Sequence, residues 1–267
     1  MQKADLNGTT IAYRIDEPRN VAGDSGWIIL SNSLAADHRM WDPQVALLTE
    51  KHRLLRYDTR GHGDSPPVKG PYSFEMLVAD VVGLMDHLQI KKASFMGLSL
   101  GGMTALGLAL NHPDRFDRFV CCDARADSPP AYVEGWKDRI AAVESGGIAS
   151  IVDSTLERWL VPSFRNAQLD QMKIVRDMIN KTTEMGWIGC AGALKNLNYL
   201  DDLGNINRPV LYLVGAEDAG APPDVMKHMA DNTPGSEFTI IPNAAHVANI
   251  DNREEFNVAI SSFLKLN

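Results

Sequence analysis

Gly97-Leu98-Ser99-Leu100-Gly101 narrows the fold of this chain more than any other stretch, because a serine stands between two glycines where one apolar run hands over to another. The run before it, Ala93-Ser94-Phe95-Met96-Gly97, reads as a strand, and residues 101–111 read as a helix that His112-Pro113 ends. So sharp a strand-turn-helix corner holds its central residue in a strained backbone conformation. Strand and helix can approach there only if the flanking residues lack bulk, and Gly97 and Gly101 provide the space. Ser99 is then expected to project its Oγ above the sheet, with the N–H of Leu100, at the start of the helix, placed to donate to an oxyanion. The G-x-S-x-G motif is short and common, so its meaning depends on what else the chain supplies.

The surrounding elements alternate. Residues 9–15 alternate apolar and polar side chains like a strand, and Trp27-Ile28-Ile29-Leu30 is the short continuous apolar run expected of a strand covered on both faces. Residues 52–58 give a further strand and lead into a glycine-rich turn, Arg60-Gly61-His62-Gly63-Asp64-Ser65. Between residues 73 and 88, Leu77, Val78, Val81, Val82, Leu84, Met85 and Leu88 recur at helical spacing, with Ser73 placed as the cap. Residues 116–122, 209–215 and 237–242 return to strand character, and an amphipathic helix is predicted over residues 253–266. This rhythm predicts an α/β fold with a mostly parallel twisted sheet flanked by helices and joined by right-handed crossovers. Residues 125–205 depart from it: their apolar spacing is helical throughout, and Trp136, Trp159 and Trp187 fall there. The expected organisation is a core of residues 1–124 and 206–267 with a helical lid of residues 125–205 inserted.

Composition excludes several partners. A 45% hydrophobic content supports a large core, while 26 Lys and Arg against 34 Asp and Glu give a net charge of -8, which repels nucleic acid and anionic membranes. No apolar run approaches the roughly 18 residues of a membrane span, and residues 1–5 lead into a polar Asn7-Gly8 turn rather than an apolar leader, so a cytoplasmic location is expected. Cys121, Cys122 and Cys190 form neither a disulfide framework nor a zinc spacing and are expected to serve packing.

A serine nucleophile needs a base, and that base needs an acid to fix its tautomer. Of the seven histidines, His246 follows the last predicted strand in a loop able to reach Ser99. His38, His52, His87, His112 and His228 are expected on helices or surface connections as solvated residues, and His62 belongs to the glycine-rich turn. Asp218, in the turn after a buried strand, lies at the carboxyl edge where α/β proteins build their sites. Glu217 beside it and Asp123 at the end of the preceding strand are its rivals. The order Ser99, Asp218, His246 is that of a nucleophile-elbow hydrolase. The second oxyanion donor is expected from the loop after the early buried strand, at the N–H of Leu34.

On these residues the chain resembles the α/β-hydrolase family over residues 7–264, and within it the 3-oxoadipate enol-lactonases. Ser31-Asn32-Ser33-Leu34 with Met40-Trp41-Asp42, and Arg56-Tyr57-Asp58-Thr59-Arg60, carry the finer likeness. Two departures stand out: Ala35 where such lactonases have glycine, and Asp123 where they have a neutral residue. The resemblance implies that His62 is a scaffold residue. It also implies a serine hydrolase that opens a small lactone, 3-oxoadipate enol-lactone to 3-oxoadipate in aromatic-compound catabolism, with no metal or organic cofactor. A carboxylate on the substrate would need a cation, and Arg125, Arg139, Arg158 and Arg165 are candidates, while Trp136, Trp159 and Trp187 could line an apolar pocket. A carboxylesterase, another lactonase, a carbon–carbon bond hydrolase or a cofactor-free perhydrolase would use the same triad, and a non-catalytic small-molecule receptor could keep the fold. A nicotinamide dehydrogenase is disfavoured because no G-x-G-x-x-G follows a strand.

Overall fold

Strand and helix alternate as the apolar runs predict, and the computed structural model, which describes residues 1–19 and 25–266, gathers all eight strands into one sheet. The chain begins with β1 (Gln2–Leu6), β2 (Thr9–Asp16), β3 (Trp27–Ser31), α1 (Asp42–Leu48), β4 (Arg53–Tyr57) and α2 (Phe74–His87). Next come β5 (Ala93–Leu98), α3 (Leu100–Asn111) and β6 (Phe116–Cys122). Five helices follow without a strand: α4 (Pro130–Gly146), α5 (Val152–Trp159), α6 (Pro162–Ala167), α7 (Leu169–Lys181) and α8 (Glu184–Leu194). The sheet resumes with β7 (Val210–Gly215), α9 (Pro223–Asp231) and β8 (Glu237–Ile241), and α10 (Ala248–Asp251) and α11 (Arg253–Leu264) close the chain. Among the described residues no helix is long and apolar enough to cross a membrane.

The strands lie in the order β1-β2-β4-β3-β5-β6-β7-β8, with β2 antiparallel to both neighbours and the remaining pairs parallel. Ile28, Ile29, Leu30, Met96, Val120 and Leu213 are buried, because helices cover both faces of the central strands. Phe95, Phe116 and Phe119 pack ring to ring, the last two with centroids 5.1 Å apart. Helix α2 starts where Ser73 Oγ accepts from the N–H of Met76 at 3.3 Å, the predicted cap. Strand β1 lies outside the sequence prediction: only Ala4 is buried in it, so it has no apolar run. It forms because Asn7 and Gly8 both take positive φ (49° and 72°) and fold it back on β2 as a hairpin. Helices α1 and α9 are likewise too short to register as periodic runs.

Residues 125–205 hold helices and one isolated bridge, Asp127 to Asn198, and no strand. Ser128 Oγ donates to the carbonyl of Leu194 (2.6 Å) and accepts from the N–H of Leu197 (3.1 Å), which closes the segment where it leaves the sheet. The segment also rests on the turn after β4. Gly61 and Gly186 of α8 approach so closely that a Cβ on either would overlap the other's backbone. Thr183 donates to the carbonyl of Gly61 from both its N–H (3.1 Å) and its Oγ1 (2.9 Å). The turn is held in place by the buried Arg60–Asp80 pair at 2.6 Å. His62 is fully buried, and burial pushes its pKa down, so it stays neutral as part of the scaffold. The three cysteines are buried free thiols, which accords with a packing role.

Candidate active site

Ser99 joins β5 to α3 with φ 56° and ψ −113°, a region costly to a side-chain-bearing residue. The surrounding backbone enforces it. The N–H of Ser99 donates to the carbonyl of Cys122 (2.9 Å), that of Met103 to the carbonyl of Ser99 (2.9 Å), and that of Gly101 to the carbonyl of Asn32 (3.1 Å). A Cβ on Gly97 would collide with the carbonyl of Gly101, and one on Gly101 with that of Ser31, so the glycines of the motif are what let helix and strand meet.

His246 completes a relay. Its Nε2 lies 2.9 Å from Ser99 Oγ and its Nδ1 lies 2.8 Å from Asp218 Oδ2. An ionised carboxylate only accepts, so Nδ1 carries the proton and Nε2 is free to accept from the serine hydroxyl. The Asp218 side chain is wholly buried, and its other oxygen accepts from the N–H groups of Gly220 (2.7 Å) and Ala221 (3.2 Å), which offsets the cost of burying its charge. The loop carrying His246 is anchored on both sides: Ala245 N–H donates to Asp251 (2.7 Å), and Val247 N–H donates to the carbonyl of Trp159 (3.1 Å). Asp251 also accepts from the N–H of Val161 at 2.9 Å, so one carboxyl ties the histidine loop to the helical segment. Burial pushes the pKa of Asp251 up to about 6.

The two rivals of Asp218 lie elsewhere. Glu217 is exposed. Asp123 is buried and lines the same cavity, but its Oδ1 accepts from the N–H of Gly215 (2.8 Å) and it makes no bond to His246. Burial, reinforced by the charge of Asp218, pushes the Asp123 carboxyl well up. Two histidines correct the expectation of solvated residues. His38 Nδ1 lies 3.0 Å from Asp58 Oδ1, and the ring of His52 is half-buried, with burial pushing its pKa down. Asp37, His38 and Asp58 cluster closely, but Arg39 forks onto Asp37 (2.6 Å) and the N–H groups of His38 and Asp64 occupy Asp58, so the cluster braces the loop.

Leu100 opens α3, so its N–H has no acceptor within its own helix. Leu34 lies in the loop after β3. That loop is pinned by Ser31 Oγ to Tyr57 Oη (2.7 Å), Asn32 Nδ2 to the Tyr57 carbonyl (2.7 Å) and Ser33 N–H to Met40 Sδ (3.2 Å). Ser99, His246, Asp218 and Leu34 all face one cavity of about 360 Å³.

The sequence pattern of the alpha/beta hydrolase fold matches residues 26–253. The chain belongs to the α/β-hydrolase family. It is 34% identical to 3-oxoadipate enol-lactonase 1 of Acinetobacter baylyi, over 97% of this chain and 94% of that protein. The crystal structure of the enol-lactonase from Burkholderia xenovorans LB400 superposes with a TM-score of 0.94 at 36% identity, covering 99% of this chain and 100% of that one. A thermophilic esterase from Thermogutta terrifontis, solved with malate bound, gives a TM-score of 0.90 at 28% identity, covering 99% and 98%.

Within this α/β-hydrolase the residues of segment 125–205 singled out from the sequence separate into two groups. Arg125, Trp136, Arg139, Arg158, Trp159 and Trp187 line the cavity, whereas Arg165 lies outside it. Arg125 pairs with Asp127 at 3.3 Å. Tyr132, Met103 and Thr155 also line the cavity, and their spacing gave no signal beyond that of packed helices. One departure from the lactonase pattern gains a structural meaning: Ala35 has φ 69°, a conformation that favours glycine.

Proposed function

We propose that this α/β-hydrolase is a serine lactonase that opens 3-oxoadipate enol-lactone, or a lactone of the same kind, through an acyl-enzyme on Ser99. The observation that carries the reading is the unbroken hydrogen-bonded line from Ser99 Oγ through both ring nitrogens of His246 to Asp218, facing a cavity large enough for such a lactone. The likeness to two enol-lactonases over nearly their full lengths supports the substrate class.

The steps follow from the geometry. As Ser99 Oγ bonds to the lactone carbonyl carbon, its proton passes to His246 Nε2, and Asp218 stabilises the imidazolium. The carbonyl oxygen becomes an oxyanion that accepts from the N–H groups of Leu34 and Leu100. Its collapse breaks the ring C–O bond, and His246 returns the proton to the leaving oxygen. That oxygen is an enol which becomes a ketone, so expulsion is easier than for a simple alkoxide and reclosure is disfavoured. Water then loses a proton to His246, attacks the acyl carbon and frees the carboxylic acid, while Ser99 Oγ regains its proton. Each bond change is met by Ser99, His246 and water, so the proposed reaction needs no metal or organic cofactor. In this reading residues 125–205 act as a lid on the core of residues 1–124 and 206–267, since they supply much of the cavity wall.

The test is Ser99→Ala beside the parent on a synthetic enol-lactone. Loss of turnover with an unchanged fold is expected, and equal rates would overturn the nucleophile assignment. Turnover of simple esters at a higher kcat/KM than the enol-lactone would move the reading to a carboxylesterase.

A further inference from the structure

The three members of the triad are not held by the same part of the chain. The bonds that fix Ser99 and Asp218 stay within the core: the serine turn is tied to Cys122 and Asn32, and the aspartate to Gly215, Gly220 and Ala221. His246 differs. The N–H of Val247, the residue after it, donates to the carbonyl of Trp159 at 3.1 Å, and the N–H of Ala245, the residue before it, donates to Asp251 Oδ2 at 2.7 Å. That same oxygen accepts from the N–H of Val161 at 2.9 Å. Both neighbours of the histidine therefore lead, within one or two hydrogen bonds, to residues 159–161, where α5 gives way to α6.

The junction suits this use. Trp159 is the last residue of α5 and Val161 caps α6, so the carbonyl of the first and the N–H of the second have no partner in their own helices. Asp251 is the link between the junction and the histidine loop. Burial pushes its carboxyl up to about 6, and the largest pulls in the other direction come from the N–H groups of Ala245 and Val161. Above that pH the charge is a cost to the fold, which fits a side chain retained for what it aligns rather than for stability.

We propose that Asp251 is a positioning residue for the reaction: by holding Ala245 and Val161 on one oxygen it fixes His246 between Ser99 and Asp218, and it makes the stance of the base depend on the junction of α5 and α6. The inference rests on the serine-hydrolase reading. His246 Nε2 stands 2.9 Å from Ser99 Oγ, and a displacement of about 1 Å in such a contact costs on the order of a hundredfold in rate.

Asp251→Ala should lower kcat for p-nitrophenyl butyrate about ten- to hundredfold with KM changed less than about threefold, and should weaken the downfield proton resonance of His246 Nδ1–H that reports the bond to Asp218. Asp251→Asn should restore most of the rate, because one amide oxygen can accept from both N–H groups. Val161→Pro cuts the tie from the other end. The φ of −63° at Val161 suits proline, and Leu160, extended at φ −131° and ψ 135°, tolerates a proline after it, so the change removes the N–H without bending the chain. It should lower kcat about threefold or more with the same small change in KM. A kcat within about twofold of the parent's in either Asp251→Ala or Val161→Pro, an Asn variant as slow as the Ala variant, or a loss that falls on KM alone would overturn the proposal. Should Asp251→Ala fail to fold, Val161→Pro decides. If the parent turns over neither this ester nor an enol-lactone, the hydrolase reading fails instead, and the His246 Nδ1–H resonance, weakened or intact in the variants, judges the positioning role by itself.

Discussion

The two sides of the cavity differ in how much of their bonding is already complete. On the sheet side, Ser99 is fixed by two backbone bonds of its own and a third at Gly101, His246 uses both ring nitrogens, and Asp218 fills both oxygens. On the helical side, Arg139 and Arg158 lack a carboxylate partner, and the Nε of Arg125 is buried without an acceptor. A finished network is pre-organised: it pays its ordering cost during folding and is ready when the reacting carbonyl arrives. An unfinished one is completed by the ligand and so discriminates between ligands. In the proposed reading the chemistry belongs to the end of the sheet, and the choice of molecule to the helices above it.

The comparison can be broken most forcefully at Ser99. Ser99→Ala is expected to lower kcat on an enol-lactone by about 10⁴-fold or more with the melting temperature little changed; a large loss of stability would show that the serine also holds the corner together. Asp218→Asn should cost on the order of 10³–10⁴-fold in kcat with KM little changed. Activity near that of the parent would mean that Asp123 or Glu217 can orient His246. Gly186→Ala tests the support of the helical side: a methyl group forced against Gly61 should lower stability by about 1–3 kcal/mol in chemical denaturation.

Asp251, which joins the two sides, gives a smaller and pH-dependent effect. Its folded pKa of about 6 lies above the ordinary 3.8, so between these values the folded chain binds more protons than the unfolded one. Its contribution to stability therefore falls as pH rises from about 4 to 6 and is level above that. Asp251→Asn removes this slope, so the melting temperature of the variant relative to the parent should improve by a few degrees across the same window. The smallest effect is expected at the Arg39–Asp177 pair (2.8 Å), which bridges the loop after β3 to α7: Asp177→Asn, which leaves the fork of Arg39 on Asp37 intact, should change stability by about 1 kcal/mol or less.

Much of the sheet side was legible in the sequence, because its signals are local. Continuous apolar runs marked the central strands, paired glycines marked the turn at Ser99, and the order of Ser99, Asp218 and His246 along the chain suggested their meeting. What the sequence left open was settled by long-range packing. Glu217 and Asp218 are adjacent, yet one is exposed and the other buried, because the N–H groups of Gly220 and Ala221 curl around the second. His38 reads as solvated until Asp58, 20 residues away, comes to meet it. Arg158 and Arg165 both fall in the helical segment, but only the first faces the cavity. Nothing local to either residue could have separated them, since what differs is the partner each helix packs against.

The bare contact between Gly61 and Gly186 has a consequence for how such enzymes could change hands between substrates. The helical cover is registered on the core by a missing pair of side chains, a notch rather than a latch. A foreign cover grafted between β6 and β7 would therefore have to bring its own vacancy at the matching spot, whatever guanidiniums it carried inside. New specificities should come more readily from repainting the inner face of this cover than from exchanging it whole.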